Sequence, residues 1–237
     1  MHVIQHRLDL AVRLIDSVSL LEIDEKRVKF NVNTVSRGNG VYLFLGIEHI
    51  DFDLEVHVYG YEARKVRIVF DELDKKLPIK EIYLLPDSRM ALRDDILTLR
   101  GNMPNIKEIE AVPLNSPFCL FKEYDKRERK LKIYNQYNVR LKNIHYGIVD
   151  TTNTEYEHVE VEKELSEKEV RLKNRLEKEY TINQPVVPVI FGQTYDDGRY
   201  LLKVSAGENA EYLVRYVVDD EVIFKRIDFN NPEEITL

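Results

Sequence analysis

Leu8, Leu10, Val12 and Leu14 occupy every second position, with Arg7, Asp9 and Arg13 on the other side of the alternation. A period of 2 sorts side chains onto the two faces of a strand, and the apolar face must be buried against another layer. The same pattern returns at Val28–Val32 and Leu54–Tyr59, and Val41–Leu45, Val66–Phe70 and Ile79–Leu85 are short apolar runs that also read as strands. Turn residues separate the runs: Asp16-Ser17, then Arg37-Gly38-Asn39-Gly40, then Gly60, with Pro86-Asp87 closing the series. Asn39-Gly40 favours positive φ and so a tight hairpin. Short strands at roughly ten-residue spacing predict a β-sandwich or barrel for the first ninety or so residues.

The residues that punctuate these strands resemble those of a known family. Leu14-Ile15-Asp16-Ser17 resembles the first-strand signature of the carboxypeptidase regulatory-like, or transthyretin-like, β-sandwich. Gly40-Val41-Tyr42-Leu43-Phe44-Leu45-Gly46-Ile47 is similar to its glycine–aromatic–aliphatic strand. Leu54-Glu55-Val56 followed by Gly60-Tyr61-Glu62 resembles the strand that ends in a Gly-Tyr turn, and Ile82-Tyr83-Leu84-Leu85-Pro86 resembles the closing strand. The resemblance covers about residues 5–88. Where the family has a Gly-Lys-Pro-like hairpin, Val18-Ser19-Leu20-Leu21-Glu22-Ile23 is more apolar and has neither Gly nor Pro. The resemblance implies an Ig-like sandwich used as a spacer, decoration or binding surface, with no shared catalytic residues.

Ser88–Asp95 is a short polar junction, dividing the chain into an N-terminal domain, 1–88, and a larger second β domain, 89–237. Candidate strands in the second are Ile96–Leu99, Ile106–Val112, Phe118–Phe121, Leu131–Tyr134, Val139–Leu141 and Tyr146–Val149, with Asp125–Arg129 as a charged hairpin tip. A charged insertion at about 155–180 breaks the rhythm. Glu155–Val161 reads as a strand, whereas Ser166–Glu179 supports two readings. Val161, Leu165, Leu172, Leu176 and Tyr180 fit a helical stripe, and Ser166 with Glu169 fits a capping box. Val170-Arg171-Leu172 also alternates, as an extended pair would. Pro185–Phe191 reads as an extended edge segment. Tyr200–Val204, Glu211–Val218 and Val222–Phe229 predict a three-stranded meander, with turns at Asp196-Asp197-Gly198 and Asp219-Asp220 and a polar tail from Asn230.

Lys plus Arg total 35 against 42 Asp plus Glu, a net charge of −7, and neither half is a basic arm. That balance argues against nucleic acid, whose phosphates require clustered cations. No run approaches the ~18 apolar residues of a membrane-spanning helix, and no signal peptide is visible at the N-terminus. Synthesis in the cytoplasm follows as an expectation, with release as part of a virion or tail-like particle.

The residue types that carry chemistry form no catalytic constellation along the chain. The single cysteine, Cys119, sits in the apolar run Pro117–Phe121 and reads as a buried inert thiol. A Cys119–His145–Asp150 set has no supporting elbow or spacing. The six histidines, His2, His6, His49, His57, His145 and His158, show no metal-ligand spacing, and His57 is placed on an outer strand face. Asp51-Phe52-Asp53 could contribute to a calcium loop, though the full loop pattern is absent; the pairs Asp94-Asp95, Asp196-Asp197 and Asp219-Asp220 read as turn residues. With 9 glycines, no phosphate-binding loop is present. Trp is absent but Tyr totals 14, so Tyr134 with Tyr137, or Tyr212 with Tyr216, would supply a sugar-stacking platform.

No catalytic, cofactor-binding or metal-binding residue is assigned. The expected function is a non-enzymatic structural or adaptor subunit whose partners are other protein subunits. Phage tails, baseplates and contractile injection particles use such subunits, and the charged excursion at 155–180 is the expected docking element. The alternative is a surface- or carbohydrate-recognition module.

Overall fold

The computed structural model describes residues 8–75, 77–87, 96–115, 119–135, 145–206 and 210–229. The expected strand at Val139–Leu141, the junction at Ser88–Asp95 and the tail from Asn230 lie outside these residues. The described chain is nearly all β, as the alternation predicts; the one helical element among the described residues is a 3-10 turn, Phe70–Glu72. It divides into two compact units, residues 1–96 and 97–237.

Seven strands build the first unit: β1 (Leu8–Asp16), β2 (Val28–Phe30), β3 (Val35–Gly38), β4 (Val41–Leu45), β5 (Phe52–Val58), β6 (Arg64–Ile68) and β7 (Ile79–Leu84). One sheet has the order β3-β4-β1-β7, the other β2-β5-β6. β1 is central, antiparallel to β4 and parallel to β7, with Asp16 opposite Leu84. Leu10, Val12, Leu14, Phe44, Ile82 and Leu84 meet Leu54, Val56, Val58 and Ile68 of the other sheet, which makes a two-layer sandwich. The β3–β4 hairpin turns through Asn39 and Gly40, both at positive φ. A Cβ on Gly40 would lie 3.0 Å from the Leu14 carbonyl oxygen and 3.1 Å from the Ile23 backbone nitrogen. Glycine is therefore required there for space as well as for φ.

Asp16 ends β1 and anchors the chain at its exit. Its Oδ1 accepts the N–H of Val18 at 2.9 Å and of Ser19 at 2.8 Å, and its Oδ2 accepts the Tyr61 hydroxyl proton at 2.9 Å. One carboxylate thus shapes the turn after β1 and fixes the turn after β5, although Tyr61 and Asp16 are 45 positions apart.

Among the described residues the second unit contains thirteen strands: β8 (Ile96–Asn102), β9 (Ile106–Pro113), β10 (Cys119–Asp125), β11 (Lys130–Tyr134), β12 (His145–Asp150), β13 (Glu155–Ser166), β14 (Glu169–Leu172), β15 (Pro185–Pro188), β16 (Ile190–Phe191), β17 (Gln193–Thr194), β18 (Arg199–Ser205), β19 (Glu211–Val218) and β20 (Glu221–Asp228). A closed barrel runs β10-β11-β14-β13-β12-β15. Cys119, Phe121, Leu131, Ile133, Tyr146, Ile148, Val159, Val161, Val170, Leu172 and Val186 fill its interior. The void left among them is about 10 Å³, so the barrel is packed and not a ligand cup. Beside it, sheet β16-β9-β19-β20 packs against sheet β17-β18-β8 across Leu99, Ile109, Ala111, Leu202, Val204, Val214 and Tyr216. The other face of the β9–β19 pair meets the barrel through Val112, Val149, Tyr156, Val187 and Leu213. The β9–β19 pair is therefore covered on both faces.

Three expectations are corrected. Residues 166–179 form no helix: β13 and β14 are joined by a two-residue turn at Glu167-Lys168, and the Ser166 hydroxyl accepts the Lys168 N–H at 3.3 Å instead of capping a helix. β14 lies between β11 and β13, so its backbone groups are used on both sides, and period 2 wins over the helical stripe. Leu172 points into the barrel while Leu176 and Tyr180, beyond the strand, cover its core. Bulges in β13 let its 12 residues bend from β12 onto β14. β15 is not an edge: it pairs with β10 and β12, and Pro185 and Pro188 stand at its two ends, leaving the Val186 and Val187 N–H groups between them for the ladder. The meander is broken too. β18 joins β17 and β8, while β19 takes β9 and β20 as neighbours. Tyr200 of β18 meets Tyr216 of β19 across the sandwich, ring to ring at 5.7 Å, not alongside it.

Asp16→Ala removes three hydrogen bonds to a charged acceptor and is expected to cost about 2–3 kcal/mol in urea unfolding of the full chain, with Asp16→Asn milder. A loss below about 0.5 kcal/mol would refute the anchoring role. Deleting residues 166–179 removes β14 and opens the barrel, so cooperative unfolding of the second unit should be lost; a variant that still unfolds cooperatively would show that β14 is dispensable.

Candidate functional site

Glu110 is the most buried acidic residue of the described chain, 2% exposed. It sits on β9 directly opposite Arg215 of β19, on the face turned toward the barrel. Its Oε1 accepts from the Arg215 guanidinium at 3.1 Å and from the Tyr156 hydroxyl at 3.1 Å. Its Oε2 lies 3.1 Å from Nδ1 of His158 on β13. The other ring nitrogen of His158, Nε2, lies 2.9 Å from Nδ1 of His145 on β12. The antiparallel β12–β13 register, with His145 opposite Glu160 and Gly147 opposite His158, sets the two imidazoles diagonally on the barrel's outer face. Phe191 of β16 packs against both rings, at 5.1 and 5.7 Å between centroids. Gly147 allows the close approach, since a Cβ there would lie 2.7 Å from Val112 Cγ1.

Burial pushes the Glu110 carboxyl up, but the His158 hydrogen bond, the charges of His158 and Arg215 and the Tyr156 hydroxyl together outweigh it and hold the group below its ordinary value. Burial and the Glu110 charge push Tyr156 far up, so it keeps its proton and donates. A carboxylate only accepts hydrogen bonds, so His158 Nδ1 carries hydrogen. With both rings neutral, His145 Nδ1–H donates to His158 Nε2. The row Glu110–His158–His145 is a hydrogen-bonded relay, and it ends at a cavity of about 260 Å³ lined by His145, Glu157, His158, Glu160, Asn174 and Arg175.

The residues singled out in the sequence are placed elsewhere. Cys119 faces the barrel interior, and burial pushes its thiol up to about 11. Asp150 shapes the β12–β13 turn, accepting the Thr152 N–H at 2.9 Å and the Asn153 side-chain amide at 2.8 Å. With His145 on the barrel exterior, the Cys119–His145–Asp150 set is not assembled. His57 is exposed on β5, as the alternation predicts, and His49 lies 3.0 Å from Asp9. Asp53 pairs with Lys65 at 2.9 Å and Arg67 at 3.2 Å, and Asp51 accepts the Phe70 N–H at 3.1 Å, so this stretch is a strand start tied to β6 and not a calcium loop. Among the described residues no group of three or more His, Cys, Asp or Glu is arranged to hold a metal ion. Tyr212 and Tyr216 are buried in the sandwich core and offer no platform to a sugar. Tyr134 is exposed; Tyr137, His2, His6 and Asp94-Asp95 lie outside the described residues. Asp196-Asp197 and Asp219-Asp220 occupy turns, as expected. No helix among the described residues is long and apolar enough to cross a membrane.

A second feature is a surface. β20 is the last strand of its sheet, eight residues long. Phe224 and Ile227 are tucked toward the barrel and the sandwich core, whereas Val222 and Ile223, next to the turn, are 48% and 45% exposed.

Acid titration tests the buried relay. The Glu110 carboxyl is held below its ordinary value of 4.5, so it contributes stability above that pH and loses it as pH falls through the lower folded value. Glu110→Gln leaves the Arg215 guanidinium without its counter-charge and is expected to cost about 3–5 kcal/mol at neutral pH. The deficit should shrink as the wild type is acidified below about pH 4.5, measured by urea unfolding at successive pH values. A deficit constant with pH would show that Glu110 is not ionised in the fold. Separately, native Cys119 should resist a bulky thiol reagent until the barrel opens, and Cys119→Ser should cost about 1–3 kcal/mol with Cys119→Ala milder; rapid labelling of the folded chain would contradict its burial.

No protein-family model matches the chain, and no curated protein is similar to it in sequence.

Proposed function

We propose that the chain is a structural or adaptor subunit, without enzymatic activity of its own, that joins a larger protein assembly by accepting a partner strand along β20. The observation that carries this is the β20 edge, eight residues of strand with no neighbour on one side among the described residues and an exposed apolar pair at Val222-Ile223. An edge strand presents a row of backbone donors and acceptors, and apolar side chains beside it add area and register to a docking strand. Barrel closure supports the contrast, since it leaves no edge in the neighbouring layer. Glu221 and Lys225 flank the apolar pair and would set the direction of the partner by charge. In this reading residues 5–88, by their resemblance to transthyretin-like domains, act as a passive module, a spacer or a binding surface. The two-sheet packing of that unit and the anchoring of its turns by Asp16 support such a rigid role.

The double variant Val222→Lys, Ile223→Lys tests the docking edge. Both positions are exposed, so stability should change by less than about 0.5 kcal/mol each. Tagged full-length chain returned to its native extract should co-sediment with a large particle, and the double variant should do so at least about tenfold less, a difference of ~1.4 kcal/mol. Wild-type chain that sediments alone, or a double variant recruited as well as wild type, would remove the proposal.

A further inference from the structure

The cavity beside the histidine pair has a composition that the docking reading does not use. Its lining mixes charges, yet the acidic members are already engaged. Glu160 is paired with Lys173 Nζ at 3.0 Å. Glu157 accepts the backbone N–H groups of Glu177 at 2.8 Å and Lys178 at 3.2 Å, and the Tyr180 hydroxyl proton at 2.9 Å. Arg175 and Asn174 line the same space, and their side chains have no partner among the described residues. Behind them stands the relay, with Glu110 able to accept the charge of an added proton on His158.

We infer that this cavity binds a small oxyanion, a phosphate or a carboxylate, through the Arg175 guanidinium and the Asn174 amide, and that binding draws a proton onto the His145–His158 pair. The chemistry of the donors selects the ligand class. A guanidinium and a primary amide present N–H groups that match carboxylate or phosphate oxygens. The volume, about 260 Å³, suits a small molecule and not a chain segment. Charge gives the coupling. The groups facing the pair are Glu110 and Glu108 from β9, Arg215 from β19, Tyr156, Glu157 and Glu160 from β13, and Lys173 and Arg175 from the segment after β14, while Phe191 of β16 is apolar. Four carboxylates stand against three cations, so an incoming anion is accommodated best if a positive charge arrives with it. The two rings already share a hydrogen bond that admits one more proton without moving a heavy atom, and Glu110 balances it from behind. No bond is made or broken; one proton passes from solvent to the imidazole pair.

Titration calorimetry of the full chain with inorganic phosphate, near pH 7 in two buffers of different ionisation heat, tests this. The expected result is saturable binding whose heat depends on the buffer in the sense of proton uptake. Arg175→Ala, an exposed position, should weaken binding at least about tenfold without lowering the thermal midpoint. Acetate as a second probe separates the sources: binding of both anions marks a general oxyanion site, binding of phosphate alone a phosphoryl site. His145→Gln should bind with buffer-independent heat. Should that variant fail to fold, the ring-nitrogen chemical shifts of His145 and His158 in the wild type report the same event and should move toward imidazolium when phosphate is added. Absence of binding by either anion up to about 10 mM, undiminished binding in Arg175→Ala, or ring-nitrogen shifts unmoved by phosphate would overturn the proposal.

Discussion

Glu110 and Arg215 face each other across β9 and β19, a strand pair that is covered on both faces, and much of the second unit is arranged around that fact. An ionised carboxylate away from water costs several kcal/mol unless it is paired and its lone pairs are filled. Here Arg215, Tyr156 and His158 fill them, from two strands of two different layers. The contact between barrel and sheet is therefore specified by geometry as well as by apolar area. A shift of β12 against β13 by one residue would turn His158 into the barrel and leave Glu110 with one partner fewer.

Closure is the second constraint. Six strands, three of them of five residues or fewer, become stable because each has two neighbours and a shared apolar interior. The charged residues of the 155–180 region, which look like an excursion when read in one dimension, are the outer face of that closed layer. Their apolar partners, Val159, Val161, Val170 and Leu172, are core. The first unit solves the same problem differently: it stays an open sandwich and uses the Asp16 carboxylate to hold two turns of distant sequence together.

The two functional proposals draw on different remainders of this packing. β20 is where a sheet stops without a neighbour, and the relay is where a buried charge network reaches a cavity. An edge recruits a strand by its backbone, with little demand on side-chain identity, whereas a cavity of this kind selects by charge and by the count of donors. They concern different atoms, so either stands without the other.

Alternation at Leu8–Leu14 and Leu54–Tyr59 and the apolar run in Glu211–Val218 determined strands, and Asn39-Gly40, Asp196-Asp197-Gly198 and Asp219-Asp220 determined their turns, because these preferences act within a few residues. The burial of Cys119 was equally legible, since its neighbours in the sequence are apolar. Which strands become neighbours was not: β18 against β17 and not β19, β15 inside a barrel, and extended chain where a helical stripe also fitted were decided by which backbone edges and apolar faces remained open elsewhere in the fold. The site shares that origin. Glu110 lies in the alternation Glu108-Ile109-Glu110-Ala111 and reads as solvated, because a single sequence does not reveal that a sheet is covered twice; the one local hint is Arg215, a cation set in the apolar run Tyr212–Val218. His145 and His158 are 13 positions apart and meet only through the β12–β13 register, so the relay is a property of strand pairing, a long-range choice that local propensity cannot make.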